Sequence, residues 1–223
     1  MIEKLENDNM GKFIIIEGID GAGKTTLIAK LSDYLSSENI SHIVVCGAKE
    51  TNFAKNILEL LLEAEKKEPV DPCISSLLFM AMEKDVYNKV IKPALNKGMW
   101  VICDRFFDST LIYHGFAEKN KEIIHNFKGL LDFTFKKVIP DLTFILDISP
   151  EIAKSRLRKR SELNVYDYKG LDYKKNMRQG YLKIAKEHQD KYKIINANQK
   201  LNEIMNEVTE CIFQKYINVS ERK

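Results

Sequence analysis

A glycine-rich loop near the N-terminus is the residue pattern with the clearest chemical meaning. It follows the apolar run 13–16 and precedes apolar residues at helical spacing, so it forms a strand-to-helix turn. In that setting backbone N–H groups cradle phosphates, the lysine reaches the β- and γ-phosphates, and the following threonine can ligate Mg²⁺. The pattern, G-x-x-x-x-G-K-[ST], therefore predicts a nucleoside triphosphate site. Its residues, with the threonine that follows them, are Gly18, Ile19, Asp20, Gly21, Ala22, Gly23, Lys24, Thr25 and Thr26.

An acid and an arginine close a second apolar run. Asp104 and Arg105 directly follow residues 101–103, whose composition is that of a buried strand. At the carboxyl edge of a parallel sheet, both side chains would point into the ligand crevice. Asp104 could then hold Mg²⁺ through water, and Arg105 could bind a phosphate through two parallel hydrogen bonds. A salt bridge at the strand end is the alternative, and the phosphate loop in the same sheet favours the site.

The elements that must position these residues alternate along the whole chain. Apolar runs predict strands at residues 12–17, 42–46, 100–104, 142–147 and 192–196. Helical spacing predicts helices near residues 25–37, 53–65, 74–96, 121–135, 150–163, 173–190 and 201–216. Such alternation is typical of an α/β protein with a parallel sheet and helices on both faces. No repeat or flexible linker interrupts it, so we expect one domain over residues 1–223, with a polar N-terminal extension at 1–11.

Some boundaries of these elements carry local signals. Gly98 is expected to end the third helix, and Ser149 with Pro150 to begin the fifth. The segment that follows the basic end of the fifth helix lacks apolar periodicity, which predicts a mobile lid over about residues 156–169. The basic run itself could instead be a solvated helix face, as most charge runs are.

Composition narrows the class of protein. The chain has 223 residues, of which 44% are hydrophobic and 30% charged, as is usual for a soluble globular protein. Its net charge of +3 comes from interleaved cations and anions, so no nucleic-acid partner is expected. No signal peptide or membrane-length apolar run is evident, which argues against a membrane partner. The four cysteines lack C-x-x-C spacing, so we expect free thiols in a reducing compartment, and hence a cytoplasmic protein.

Taken with these motifs, the chain resembles the thymidylate kinase family of P-loop nucleoside-monophosphate kinases. The resemblance covers roughly residue 12 to the C-terminus, in the family's order and spacing, and it implies a P-loop NTPase fold with a five-stranded parallel sheet and a short lid. The motifs that carry it, besides Glu17 and the loop, are Leu77-Leu78-Phe79, Asp104-Arg105-Phe106, Ser109-Thr110, Tyr113-His114-Gly115 and Pro140-Asp141-Leu142-Thr143-Phe144-Ile145-Leu146-Asp147.

On the donor side, the resemblance implies that Lys24 and the loop amides hold the phosphates of ATP. Kinases of this class also need an arginine near the transferring phosphoryl group. Gly21 occupies the loop position that supplies this arginine in one variant of the family, so here the lid would have to supply it. Arg160 is the best match to a lid arginine of the family, with Arg156 and Arg158 close behind.

On the acceptor side, the resemblance implies that Arg105 grips the acceptor phosphate and that Asp20 lies near the 3′-hydroxyl. Phe79 would stack on the thymine ring, and Tyr113 would pack against the sugar, where it would crowd a ribose 2′-hydroxyl. The remaining candidates for this side of the site are Lys49, Ser109, Thr110 and His114.

Three positions depart from the family's pattern. Val165 stands where many relatives have a lid arginine, and Lys49 is the one cation in a segment that usually bears an arginine. Four residues after Phe79, where the family usually has an arginine that donates to the thymine carbonyl, this chain has Glu83, followed by Lys84.

Glu83 leaves three alternatives open for the acceptor base. An ionised carboxylate only accepts hydrogen bonds, so thymine O4 would need another donor, such as Lys84 or His114. Alternatively, Glu83 points out of the site. In the third alternative the enzyme prefers guanine or cytosine, whose amino groups a carboxylate accepts well.

We therefore expect a kinase that transfers the γ-phosphoryl group of ATP to dTMP with Mg²⁺. Its rivals are a kinase for another (deoxy)nucleoside monophosphate, such as dGMP or dCMP, and a non-catalytic nucleotide-binding module. Relatives in the family often dimerise through helices, so the resemblance also allows for a homodimer.

Overall fold

A five-stranded parallel sheet forms the centre of the protein. The computed structural model describes residues 10–136, 138–158 and 166–217. Each strand that the sequence predicts is present to within one residue at either end, which confirms the α/β fold with a parallel sheet. The strands are β1 (Phe13–Glu17), β2 (His42–Val45), β3 (Trp100–Asp104), β4 (Leu142–Asp147) and β5 (Tyr192–Asn196).

The order of the strands brings the two sequence motifs together. It is β2-β3-β1-β4-β5, so β1 is central and has β3 and β4 as its neighbours. Ile16 of β1 pairs with Asp104 of β3 and with Phe144 of β4. Open α/β sheets bind ligands beyond the carboxyl ends of their strands, where the strand order reverses. The glycine-rich loop after β1 and Arg105 after β3 both lie at that edge.

Helices cover both faces of the sheet, as predicted. They are α1 (Lys24–Ser37), α2 (Asn52–Lys67), α3 (Pro72–Val86), α4 (Lys92–Asn96), α5 (Phe107–Thr110), α6 (Lys121–Phe135), α7 (Pro150–Leu157), α8 (Leu171–Glu187) and α9 (Leu201–Ile212). Wider, π-helical turns join α3 to α4 (Tyr87–Ile91) and continue α5 (Leu111–Phe116) and α9 (Phe213–Ile217), while a 3₁₀ turn follows β2 (Gly47–Lys49).

The alternation of side chains along β1 divides the core into two layers. Ile14 and Ile16 pack into the layer that contains the buried faces of α1, α8 and α9. Phe13 and Ile15 point to the other face, where they meet residues of α3 and α6. A strand buried on both faces needs apolar residues at every position, which is why this segment is a continuous apolar run.

Local signals set several element boundaries. Gly98 has φ 76°, a left-handed conformation that glycine adopts without strain, and its N–H donates to the Leu95 carbonyl at 3.0 Å just beyond the end of α4. At the start of α7, the Ser149 hydroxyl accepts a hydrogen bond from the Ile152 N–H at 3.2 Å, with Pro150 as the first helical residue. Both boundaries were predicted from the sequence.

The segment that follows β3 departs from the prediction, because it is helical through α5 and its π-helical continuation. Most of its residues are buried on several sides, so it lacks the polar face by which an amphipathic helix is recognised. Residues 1–9 of the expected N-terminal extension and residues 159–165 of the expected lid lie outside the described residues. Among the described helices, none is both long and apolar enough to cross a membrane.

Candidate active site

The glycine-rich loop turns tightly between β1 and α1. Gly18 and Gly21 have φ values of 137° and 89°, and a Cβ on Gly21 would lie 2.5 Å from the Ala153 carbonyl oxygen. Side chains other than hydrogen are therefore excluded there by both conformation and space. Lys24, the first residue of α1, is buried and donates to the Gly18 carbonyl at 3.2 Å and to the Ile19 carbonyl at 3.4 Å. The Lys24 side chain therefore folds back onto the backbone carbonyls of its own loop.

Arg105 is joined to the loop by an ion pair with Asp20. Its Nη2 lies 2.7 Å from Asp20 Oδ1, and its Nη1 donates to the Ser109 hydroxyl at 3.1 Å and to the Tyr181 hydroxyl at 3.0 Å. Tyr113 donates to the other oxygen of Asp20, and the Arg105 guanidinium lies 5.2 Å from the centre of the Tyr113 ring. Of these five residues, all but Tyr181 were predicted for the site from the sequence. The structure brings them together.

The backbone at Arg105 is unusual. Its φ of 69° lies in the left-handed region that a bulky residue rarely adopts. Such a conformation persists only where the surroundings impose it, and it is common at functional sites. Here the Arg105 N–H donates to the Ile16 carbonyl at 3.1 Å, which continues the sheet by one bond and turns the side chain toward the loop.

Glu17 lies beneath this cluster and organises it. The residue is fully buried at the end of β1, and its carboxylate accepts hydrogen bonds from the Phe106 N–H at 2.9 Å and from the Ser109 and Tyr181 hydroxyls at 2.8 Å each. Its second oxygen is also 3.6 Å from Arg105 Nη1. One acid therefore connects β1, the segment after β3, and α8 beneath the phosphate loop.

The buried charges shift one another's protonation. Burial alone would raise the pKa of Asp20, but the Arg105 and Lys24 cations outweigh it and hold that pKa well below its usual value. Burial, followed by the charge of Arg105, lowers the pKa of Lys24 to about 8. Burial raises the pKa of Glu17 despite the neighbouring Arg105. A linked set of shifted groups at the carboxyl edge of the sheet is typical of a functional site.

Aromatic side chains form a cluster beside the ion pair. Phe79 of α3 and His114 are stacked at a tilt of 36°, with ring centres 5.4 Å apart. The Tyr166 ring packs edge-on against Tyr113 at 5.3 Å, and the Tyr173 hydroxyl donates to the Tyr113 carbonyl at 3.1 Å. Burial lowers the pKa of His114 to about 4, so this imidazole is neutral at pH 7. The flat rings of this aromatic cluster are of the kind on which a nucleobase stacks.

Glu83 is directed into the protein, one helical turn after Phe79. Its side chain is buried, and its Oε2 forms no hydrogen bond with the described part of the chain. Burial and the nearby carboxylates Glu17 and Asp108 raise its pKa well above the usual value. The Thr110 hydroxyl is close enough to oppose this rise in pKa, although it forms no hydrogen bond of normal geometry with any described residue. Glu83 therefore does not point into solvent.

Lys84 is directed away from the Phe79–His114 pair. Its ammonium lies over the Tyr87 ring at 5.6 Å and over the Phe135 ring at 5.2 Å. These cation–π contacts occupy the face of α3 that packs toward α6. Of the two alternative donors to the base considered from the sequence, His114 lies against Phe79 in the aromatic cluster and Lys84 does not.

Two residues at the edge of the sheet could hold a divalent cation. Asp104 ends β3, and its buried Oδ1 has no hydrogen-bond partner in the described residues. Thr25 follows Lys24 in the first turn of α1 and is exposed toward solvent. A hard cation takes oxygen ligands and often binds few protein groups when it also binds phosphates and water. This donor set fits Mg²⁺, and the described residues contain no cluster of three or more metal-binding side chains.

The remaining predicted residues differ in their positions. Arg156, near the end of α7, donates to the Ala22 carbonyl of the loop at 3.4 Å and to the Ala197 carbonyl at 3.2 Å. Arg158 is exposed at the end of that helix, and Lys49 is exposed after β2. Arg160 lies outside the described residues. Among the lid candidates whose positions are described, Arg156 is thus the one in contact with the phosphate loop.

Sequence reasoning missed several residues that build the site. They include Glu17, the buried acid that joins several residues of the site. Its position directly before the loop was the only feature of the sequence that could have indicated this role. The others lie on or just before α8, and their hydroxyls or amine reach the site from far along the chain. They are Tyr166, Tyr173, Lys174 and Tyr181.

The fold and the site together define a class of protein. A parallel sheet of this order, a phosphate loop after its central strand and an arginine after the neighbouring strand are the parts of a P-loop kinase. The thymidylate kinase family model matches residues 16–208. The chain belongs to the thymidylate kinase family.

Individual relatives support this assignment. The chain is 37% identical over 198 residues to a thymidylate kinase of Carboxydothermus hydrogenoformans, which covers 89% of this chain and 95% of the relative. It is 35% identical to a thymidylate kinase of Clostridium novyi, over 90% and 97% of the two chains. It is also 38% identical to a thymidylate kinase of Buchnera aphidicola, over 87% and 91%.

Proposed function

We propose that this protein transfers the γ-phosphoryl group of ATP to the phosphate of dTMP. In this reaction the bond between the γ-phosphorus and the β,γ-bridging oxygen breaks, and a bond to a phosphate oxygen of dTMP forms. ADP leaves and dTDP is the product. The observation that carries the proposal is the ion pair between Asp20 of the phosphate loop and Arg105, at 2.7 Å, directly beside the Phe79–His114 stack.

Phosphoryl transfer depends on positioning and on neutralising charge rather than on covalent chemistry. In our proposal Lys24 and the loop amides bind the β- and γ-phosphates of ATP. Arg105 binds the acceptor phosphate, and its hydrogen bonds to Asp20, Ser109 and Tyr181 hold its guanidinium in one orientation beforehand. Because these groups are fixed before the reaction, little reorganisation is needed in the transition state.

The second assignment concerns the cation that accompanies ATP. We assign Mg²⁺ to Thr25 and Asp104, because the buried Oδ1 of Asp104 lacks a hydrogen-bond donor among the described residues. When bound, the ion would neutralise negative charge on the donor phosphates. Asp104 also lies near Lys24, and its negative charge raises the pKa of that lysine against the effect of burial.

The acceptor base is the third assignment. We place thymine against Phe79 and His114, with Tyr113 beside the sugar. Burial and the carboxylates of Glu17 and Asp108 raise the pKa of Glu83, which favours its protonated form. A protonated carboxyl has an O–H donor, so Glu83 itself can meet the need for a donor at thymine O4. This removes the conflict that an ionised carboxylate would create at that position.

Two broader features belong to the same proposal. A homodimer is supported by exposed apolar side chains on α3 and α6, where Leu77 and Phe133 are 56% and 88% exposed beside a cavity of about 420 Å³. Sedimentation velocity of the wild type tests it. A cytoplasmic location is supported by the four cysteines, which are free thiols.

Product analysis tests the function. The wild type is incubated with ATP, Mg²⁺ and dTMP, and dTDP is quantified by chromatography, with a Lys24→Ala variant as the matched control. We expect dTDP in stoichiometric amounts with ADP and a loss of at least about 10² in kcat for the variant, since electrostatic groups of this kind contribute that much. ADP formation that does not depend on dTMP would refute the proposed acceptor, and binding without turnover would favour a non-catalytic module.

A further inference from the structure

Lys174 is a buried lysine whose amine has no hydrogen-bond partner among the described residues. Its exposed fraction is 1%, and its Nζ makes no hydrogen bond within the part of the chain that the structure describes. Lysine side chains usually extend so that the ammonium reaches water. An ammonium that is buried without a partner is strongly destabilising, so such a group needs a reason to be where it is.

The position of Lys174 on α8 directs it toward the site. It lies seven residues before Tyr181, which is two helical turns and therefore the same face of the helix. Tyr181 donates to Glu17 and accepts a hydrogen bond from Arg105. The residue just before Lys174, Tyr173, bonds to the backbone of Tyr113. Tyr173 and Tyr181 therefore join α8 to Tyr113 and to Glu17 and Arg105 of the site.

Two of the charges that act on Lys174, those of Asp20 and Arg105, belong to the same site. Burial lowers its pKa, and the Asp20 and Asp167 carboxylates oppose this effect, while the Lys154 and Arg105 cations add to it. Asp20 already accepts hydrogen bonds on both of its oxygens, from Arg105 and from Tyr113. The ammonium thus lies in the field of the loop acid without being bonded to it.

We propose that the Lys174 ammonium binds an oxygen of the phosphoryl group that is transferred. The inference rests on the proposed kinase function. It adds a cation on α8 to those that the glycine-rich loop and the lid supply. A phosphate oxygen supplies the hydrogen-bond acceptor that the amine lacks, and the amine supplies positive charge where negative charge accumulates during transfer. Three donors on a flexible stem suit a group that moves between two nucleotides.

The test uses the full chain with three substitutions. Lys174→Met removes the charge and keeps the length and apolar volume of the side chain. Lys174→Arg keeps the charge. Lys175→Met is the matched control, because Lys175 is the next residue, is 48% exposed and pairs with Asp172 at 3.9 Å on the outer side of α8. For each variant we measure kcat with ATP and dTMP, ATP affinity by titration without dTMP, and Tm.

We expect Lys174→Met to lower kcat at least tenfold and to weaken ATP binding, with a Tm equal to or above that of the wild type. Removing a buried charge that has no partner does not destabilise the fold, whereas a structural lysine would lower Tm when replaced. Lys174→Arg should lose less activity than Lys174→Met, and Lys175→Met should match the wild type.

Three results would overturn the assignment. The first is a kcat and an ATP affinity of Lys174→Met that stay within twofold of those of Lys175→Met. The second is a Tm of Lys174→Met below that of the wild type. The third is a loss of kcat in Lys174→Arg as large as that in Lys174→Met. The test is separable from the proposed function. If the wild type does not phosphorylate dTMP, the function is wrong, but the ATP titration still decides whether Lys174 binds a phosphate.

Discussion

The Arg105 guanidinium and the Asp20 carboxylate are joined by a 2.7 Å ion pair between the end of β3 and the phosphate loop. The two residues are 85 positions apart in the chain, and the pairing of β1 with β3 brings them together. Asp20 keeps its negative charge across the physiological range because Arg105 and Lys24 hold its pKa down against the effect of burial. The loop that binds the donor is therefore linked directly to the residue that we assign to the acceptor.

Replacing Arg105 with lysine should damage use of the acceptor. Lysine cannot reproduce the planar fork that bonds Asp20, Ser109 and Tyr181 at once. A hydrogen bond to a charged group contributes about 1.5–3 kcal/mol. We therefore expect kcat/KM for dTMP to fall by about 10- to 100-fold, since ~1.4 kcal/mol is tenfold. Steady-state kinetics measures this, and a loss confined to ATP affinity would reassign Arg105 to the donor.

The arginines at the end of α7 should act in turnover and contribute little to folding. Arg156 bonds the Ala22 carbonyl of the phosphate loop, so Arg156→Ala should lower kcat by about tenfold or more, given what a positioned arginine adds to phosphoryl transfer. We make the same prediction for Arg160, and Arg158→Ala is measured in parallel. Lys66→Ala, at the exposed end of α2, controls for loss of surface charge. Normal kcat in all three single variants and in the triple variant would rule out this role.

The raised pKa of Glu83 predicts a pH-dependent KM for dTMP. The protonated carboxyl donates to the base and the ionised form repels it, so KM should rise as pH increases and the carboxyl ionises. Glu83→Gln has an amide donor at every pH, so its KM should depend less on pH than that of the wild type. Glu17, Asp108 and Thr110 are the polar groups that face Glu83 in both proteins. A glutamine variant with the wild-type pH profile would show that Glu83 does not contact the base.

Asp108 should make the protein less stable as pH rises. It is buried, accepts a hydrogen bond from the Tyr192 hydroxyl at 2.6 Å, and has a pKa raised to about 7 by burial and by Glu17. A carboxyl whose pKa is higher in the folded state stabilises the fold fully below its unfolded pKa, near 3.9, and loses that contribution as pH rises through the folded value. Between about pH 5 and 8 the loss is on the order of 2–3 kcal/mol.

Urea unfolding of the wild type and of Asp108→Asn, each at about pH 5 and about pH 8, measures this effect. The variant should lose less stability between them than the wild type, because the amide does not titrate and still accepts from Tyr192. Asp132→Asn, at an exposed position of α6, is the control and should behave as the wild type does. Equal pH dependence in the wild type and Asp108→Asn would mean that Asp108 does not titrate in this range.

The strands and the phosphate loop could be predicted because their signals are local. A buried parallel strand is a continuous apolar run, and the loop needs its glycines and lysine at fixed spacing. The position of Arg105 beside that loop also followed, since both motifs end apolar strands. The contact of Tyr181 with Glu17 could not be predicted, because 164 positions separate the two residues and neither carries a local signal.

Burial was the second property hidden from sequence reasoning. Lys174 stands next to Lys175 in a polar stretch and is indistinguishable from a surface lysine until the packing of α8 is known. Glu83 was recognised as an unusual residue, but its protonation depends on the carboxylates of Glu17 and Asp108, which reach it from other elements. Charges that interact through folded neighbours leave no pattern along the chain.

The ranking of acceptor nucleotides decides whether thymine is the base that this kinase prefers. We would measure kcat/KM of the wild type with ATP, Mg²⁺ and each of dTMP, dUMP, dGMP and dCMP under one set of conditions. We expect dTMP to be the best substrate and dGMP and dCMP to be far poorer, because their bases would leave Glu83 and His114 without matching partners. A kcat/KM for dGMP or dCMP above that for dTMP, reversed in Glu83→Arg, would contradict the thymidylate assignment.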